Sequence, residues 1–232
     1  MEDVVLKVKN LNVEFGDEKI IEDLSFQVKR GEFFIILGAN GAGKTTLFKA
    51  LLGLIPYKGE IIFDLKNLKI GYLPERLSRA KFKELPISIK EFYKFKEDSI
   101  EKISEMLKFV GLKEQKFLER EPGSLSSGQF QRMLIGWVLL GDPQILFFDE
   151  PTTGIDIGGE ETIYFLLQKI WQEKKLTILL ITHDLNVVYG YSTNVLCLYK
   201  KGLCSGPPRE VLTPELLERL YGSKIKFYKH IH

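Results

Sequence analysis

The chain has 232 residues, enough for one large domain or two small ones at roughly 150 residues per domain. Its 44% hydrophobic and 28% charged residues are ordinary globular usage, which excludes a disordered or collagen-like chain. A net charge of +2 is too balanced to signal a polyanion-binding protein, while two cysteines, Cys197 and Cys204, exclude a disulfide scaffold and point to a reducing compartment.

No charged-then-apolar leader opens the chain, and runs such as Met133–Leu140 are too short to cross a bilayer, so a soluble intracellular protein is expected. Leu6, Val8, Leu11, Val13 and Phe15 alternate with polar neighbours, and Leu24, Phe26 and Val28 repeat the pattern. That period predicts two half-buried antiparallel strands. Phe33–Leu37, Ile145–Phe148 and Thr177–Ile181 are instead continuous apolar runs of strand length, as expected of strands covered on both faces. Between them, Ile100, Ile103, Met106, Leu107 and Val110 follow helical spacing, as do Ile163, Leu166, Leu167, Ile170 and Trp171. Strands and helices in alternation predict an α/β fold with a mainly parallel core sheet. Residues from about Pro74 to Gly136 show helices and no convincing strand, so a helical subdomain inserted over 75–136 is expected. Thr213 and Pro214 read as the cap and first residue of a last helix reaching Leu220.

The run Phe33–Leu37 leads directly into Gly38-Ala39-Asn40-Gly41-Ala42-Gly43-Lys44-Thr45-Thr46 and then a helical segment. This is GxxxxGK[ST] in the required order of strand, loop and helix. The glycines let backbone N–H groups wrap phosphate oxygens, and the helix N-terminus adds positive potential. Lys44 is placed to reach the β- and γ-phosphates, and Thr45 to put a hydroxyl on Mg2+. Ile145–Phe148 ends in Asp149-Glu150, with Pro151 breaking the strand. Beside a phosphate loop, Asp149 suits a Mg2+ ligand and Glu150 a base that polarises the attacking water. His183 follows the third apolar run and could contact the γ-phosphate and that water.

Leu125-Ser126-Ser127-Gly128-Gln129 resembles the LSGGQ signature of ATP-binding cassette (ABC) ATPases, with Ser127 where that family usually has Gly. On its own the segment also reads as a helix start capped by Ser126 or Ser127. The motif order resembles the family too: phosphate loop, helical insert, signature, Asp-Glu strand, a loop ending at Asp156, then His183. The resemblance implies a phosphate-loop NTPase core with a mixed sheet, an antiparallel β subdomain and the helical insert. It implies ATP and Mg2+ as cofactors, with Phe15 stacking on adenine, although Phe15 also fits a core position of its strand. Ser127, Gly128 and Gln129 would bind the γ-phosphate held by a second copy in a head-to-tail dimer, with Asp156 acting across that interface. Glu75 departs from the family, which places Gln there to contact Mg2+ and the water. A carboxylate can still ligate the ion but adds charge beside the phosphates.

One cassette without spans or a coiled-coil insert resembles the separate ATPase subunit of a transporter, peripheral on the inner face of the cell membrane. Its implied partners are two permease subunits and an extracytoplasmic substrate-binding protein, not nucleic acid. Pro86, Ile87, Ile89, Phe92, Tyr93 and Phe95 fit either a partner helix or the subdomain core. Leu85–Ile89, and the tail from Val195 to His232, are similar to the zinc/manganese uptake subfamily. His230 and His232 either bind metal or simply end the chain. Export, another substrate, a soluble ABC ATPase of DNA or ribosomes, and a regulator without turnover are the alternatives. The last conflicts with the presence of Lys44, Asp149, Glu150 and His183.

Overall fold

A computed structural model describes residues 3–75, 77, 79–113, 115–199 and 202–221. The zinc/manganese-like tail from residue 222 on, with His230 and His232, lies outside them. In chain order the elements are β1 (Val4–Phe15), β2 (Glu18–Lys29), β3 (Phe33–Leu37), α1 (Lys44–Leu51), β4 (Lys58–Phe63) and β5 (Ile70–Leu73). Helices α2 (Arg79–Phe82), α3 (Ile89–Lys94), α4 (Ile100–Phe109) and α5 (Ser127–Leu139) follow. Then come β6 (Ile145–Asp149), α6 (Ile157–Lys174), β7 (Thr177–Ile181), α7 (Leu185–Tyr191), β8 (Asn194–Tyr199), β9 (Gly202–Gly206), α8 (Pro208–Val211) and α9 (Pro214–Tyr221). No helix among the described residues is long and apolar enough to cross a membrane.

The chain divides into two compact units. One comprises the residues up to Leu65 together with those from Leu179 onward, and the other runs from Lys66 to Ile178. In the first, β2, β1 and β4 form a three-stranded antiparallel sheet with β1 central. Alternate residues of β1 and β2 are buried, as their sequence period requires. The same unit pairs β3 parallel to β8, and β8 antiparallel to β9, a mixed arrangement. All five residues of β3 are buried, and Leu47 and Phe48 of α1 are fully buried as well. Burial of such side chains contributes about 1.5–3 kcal/mol each.

The second unit pairs β5 parallel to β6, whose five residues are all buried. Helices α3 and α4 begin on side-chain caps. Ser88 Oγ accepts from the Glu91 N–H while Glu91 accepts from the Ser88 N–H, and Ser99 caps α4 through the Lys102 N–H. Tyr93 of α3 is fully buried and donates its hydroxyl to the Met133 carbonyl of α5 at 2.6 Å. Phe82 packs edge-on against Phe92 and Phe130, and Phe92 stacks on Trp137.

Two features are absent from the sequence-based expectations. β4 is mostly exposed and shows no clear alternation. Cys197 and Cys204, excluded above as a scaffold, are direct partners across β8 and β9, with their sulfurs bonded and their Cα atoms 5.0 Å apart. Seven residues of separation and a hairpin bring them opposite one another, which a search for cysteine spacing motifs does not detect.

Candidate functional site

The phosphate loop follows β3 without a break. Gly41 (φ 81°) and Gly43 (φ 90°) take the left-handed backbone that turns the chain onto α1, with Gly43 at its N-cap. A Cβ on Gly38 would lie 2.5 Å from the Leu198 carbonyl oxygen, so only glycine fits against β8 there. Lys44 is 7% exposed, and its Nζ donates to the Gly38 carbonyl at 2.8 Å and the Ala39 carbonyl at 3.2 Å. The ammonium thus lies folded onto the loop at the start of α1, where backbone N–H groups point outward. Asn40 and Gly41 are exposed, while Ala42, Thr45 and Thr46 are partly so. Phe15, at the end of β1, is 52% exposed, which removes its reading as a core residue.

An acidic edge forms in the second unit. β5 and β6 run in register with Leu73 opposite Phe148, so Glu75 and Asp149 emerge from the carboxyl ends of neighbouring strands. Asp149 is 1% exposed, held at the end of a wholly buried strand. Tyr72 reports the local field. Its hydroxyl is pushed up to about 12, mainly by burial and further by the charges of Asp149 and Glu75. Asp149 and Glu75 are hard oxygen donors of the kind Mg2+ takes, and the field felt by Tyr72 is one that attracts a cation.

Glu150, the residue after β6, has φ 45°, a left-handed conformation uncommon for a side chain of this kind. The turn beyond it is fastened by Thr153 N–H to the Glu150 carbonyl, and by the buried pair of Thr152 and Tyr164 hydroxyls at 3.0 Å. Asp156 is exposed and occupies the N-cap position of α6 without a side-chain cap bond. In the first unit, His183 is exposed between β7 and α7. Its neighbours fix the turn: Thr182 Oγ1 accepts from the Asp184 N–H, and Asp184 caps α7 through the Asn186 N–H.

In the LSSGQ segment, Ser126 is the cap of α5. Its Oγ accepts from the Gln129 N–H at 3.2 Å, and Gln129 Oε1 accepts from the Ser126 N–H at 3.1 Å. Ser127 and Gly128 occupy the first helical turn, partly exposed. Arg79 donates to the Leu125 carbonyl at 2.6 Å and braces the approach to the helix.

The phosphate loop, Phe15 and His183 belong to one unit, and Glu75, Asp149, Glu150, Asp156 and Ser127–Gln129 to the other. Within the second unit the fold brings Glu75 and Asp149 together with Tyr72. Tyr72, Arg79 and Thr152 were not anticipated from sequence. They act on backbone carbonyls, hydroxyls and local field, for which no short motif exists. Of the apolar set between Pro86 and Phe95, Ile89 and Tyr93 are core residues, whereas Phe95 is 74% exposed.

Residues 21–153 match the ABC transporter family. The chain is 37% identical over 225 residues to a protein of Thermotoga maritima named a probable metal transport system ATP-binding protein, spanning 94% of this chain and 90% of that one. It is 34% identical over 233 residues to the zinc import ATP-binding protein ZnuC of Photorhabdus laumondii, spanning 98% and 89%. Among solved structures, cbiO1 of Clostridium perfringens, part of the ABC transporter complex cbiONQ, superposes with a TM-score of 0.76 at 29% identity over 94% of each chain.

Proposed function

The chain belongs to the ABC transporter family as an ATP-hydrolysing subunit, and from that premise we propose that it powers import of a divalent metal ion, zinc or manganese, through a separate permease. Likeness along nearly the whole chain to a zinc import ATP-binding protein carries the metal reading. In this reading it works as a head-to-tail dimer on the inner face of the cell membrane, with two permease subunits and an extracytoplasmic binding protein delivering the ion. The helical subdomain of residues 75–136 meets the permease.

The loop from Gly38 to Thr46 wraps the phosphates through its N–H groups, and Lys44 exchanges its loop carbonyls for β- and γ-phosphate oxygens. Phe15 offers an exposed ring to adenine. Thr45, Asp149 and Glu75 would hold Mg2+, whose chemistry when bound is to neutralise phosphate charge. Glu150 polarises the attacking water, and His183 keeps water and γ-phosphate in line. Ser127, Gly128 and Gln129 hold the γ-phosphate of the partner's ATP at the start of α5. ATP closes the dimer by bridging Lys44 of one copy and Ser127–Gln129 of the other. Hydrolysis removes that bridge, and the Glu75 segment passes the change to the permease.

One experiment addresses both chemistry and cargo. Deleting the gene should lower cellular zinc or manganese, measured by elemental analysis, with wild type restoring it and Glu150→Gln failing to. The purified Glu150→Gln chain should still bind ATP, collect as an ATP-bound dimer, and lose turnover by about 10²–10⁴-fold. Unchanged zinc and manganese would sink the metal assignment. Ordinary turnover by the variant would sink the role of Glu150.

A further inference from the structure

Strands β8 and β9 end their sheet, and the only two cysteines of the chain face each other across them. Cys197 and Cys204 are register partners 5.0 Å apart at Cα, inside the span of about 4.4–6.8 Å that a disulfide bridges. Cys197 is fully buried and Cys204 partly exposed, so one sulfur is shielded and the other within reach of a small thiol. On its other side β8 runs parallel to β3, with Cys197 opposite Leu37, the residue before the phosphate loop. The next residue touches the loop: the Leu198 carbonyl oxygen lies 2.5 Å from where a Cβ on Gly38 would stand. Gly38 in turn accepts from Lys44. A single strand therefore carries, at successive residues, half of a dithiol and the wall against which the phosphate loop is folded.

We infer that Cys197 and Cys204 form a reversible redox pair that sets the nucleotide affinity of the phosphate loop. This rests on the loop being the ATP site. Two unbonded sulfurs need roughly 3.5–4 Å between them, against about 2.05 Å when bonded. Reduction therefore removes the only covalent tie between β8 and β9 at this pair, with the separation taken up from buried Cys197 toward the partly exposed Cys204 side. Oxidation clamps β8 and holds the loop preorganised, and preorganisation raises affinity. Bridges in reducing compartments are characteristically transient and redox-sensing.

The oxidant is a small disulfide such as oxidised glutathione. The Cys204 thiolate attacks one of its sulfurs, that S–S bond breaks, and one glutathione leaves. The Cys197 thiolate then attacks the Cys204 sulfur of the mixed disulfide and releases the second glutathione. Two thiols lose two electrons, the glutathione disulfide gains them, and both protons end on glutathione thiols.

The test equilibrates the full chain in oxidised or reduced glutathione, scores the bridge by thiol trapping and mass spectrometry, and titrates a fluorescent ATP analogue. The oxidised chain should lose both reactive thiols and bind about fivefold more tightly or better, the lower end of coupling between sites. Cys204→Ser, at the partly exposed position, should show one affinity in both buffers, near that of the reduced wild type. Failure of the bridge to form, equal affinity in both states, or a redox response surviving in Cys204→Ser overturns the inference alone. Absence of nucleotide binding in both states, with the bridge formed, overturns the nucleotide site and the inference with it.

Discussion

At Gly38 the phosphate loop lies so close to β8 that a methyl group has no room. The nearest atom is a backbone carbonyl 2.5 Å away, which cannot rotate aside as a side chain would. Gly38→Ala should therefore displace the loop, cost about 1–3 kcal/mol of stability in chemical denaturation, and weaken nucleotide binding in a titration. Tyr72 makes a second prediction at this scale. Its hydroxyl rises from the ordinary 10.0 to about 12, so the folded state holds the proton more tightly than the unfolded chain. Its contribution to stability is complete below pH 10, and it is lost as pH climbs from there through 12. Tyrosinate absorbance should show late-titrating tyrosines, of which Tyr72→Phe removes one while Tyr93 and Tyr189, also raised by burial, remain, and the variant should lose less stability over that pH interval. Candidate residues with a chemical signature could be read in sequence: Asp149, Glu150 and His183 follow apolar runs, and Lys44 closes a glycine-rich loop. Phe15 remained ambiguous because an aromatic on an alternating strand satisfies two environments, and only its exposure separates them.

Among elements, legibility followed burial. β3, β6 and β7 are buried at every residue, so unbroken apolar runs announced them. β4 escaped because a mostly exposed strand is not required to alternate. Helix α4 was legible from its periodicity, but the bond that joins α3 to α5 was not. Tyr93 reaches from α3 to the Met133 carbonyl of α5, and a Cβ on Gly136 would come within 2.6 Å of that hydroxyl. Glycine at 136 is thus the notch that admits the tyrosine. Tyr93→Phe should lower the unfolding free energy by about 0.5–1.5 kcal/mol, because the mid-helix Met133 carbonyl loses its second donor. A urea denaturation midpoint unchanged from wild type would contradict that account of the contact between α3 and α5.

For the whole molecule, composition described an ordinary globular chain, and the motif order pointed to the ABC transporter family. Bulk counts were least informative about the cysteines: two are too few to frame a fold, yet enough to join the edge strand β9 to β8 beside the phosphate loop. The left-handed backbone of Glu150 carries an evolutionary consequence. Selection for endurance alone would favour asparagine or glycine at that turn, since L side chains there cost about 1–2 kcal/mol. Glu150→Asn should accordingly raise the melting temperature of the whole chain, measured by calorimetry, while abolishing turnover. A lowered melting temperature would mean that the turn prefers its glutamate. This sequence carries a carboxylate there at the expense of a sturdier turn, so variants chosen for heat resistance alone should drift away from it.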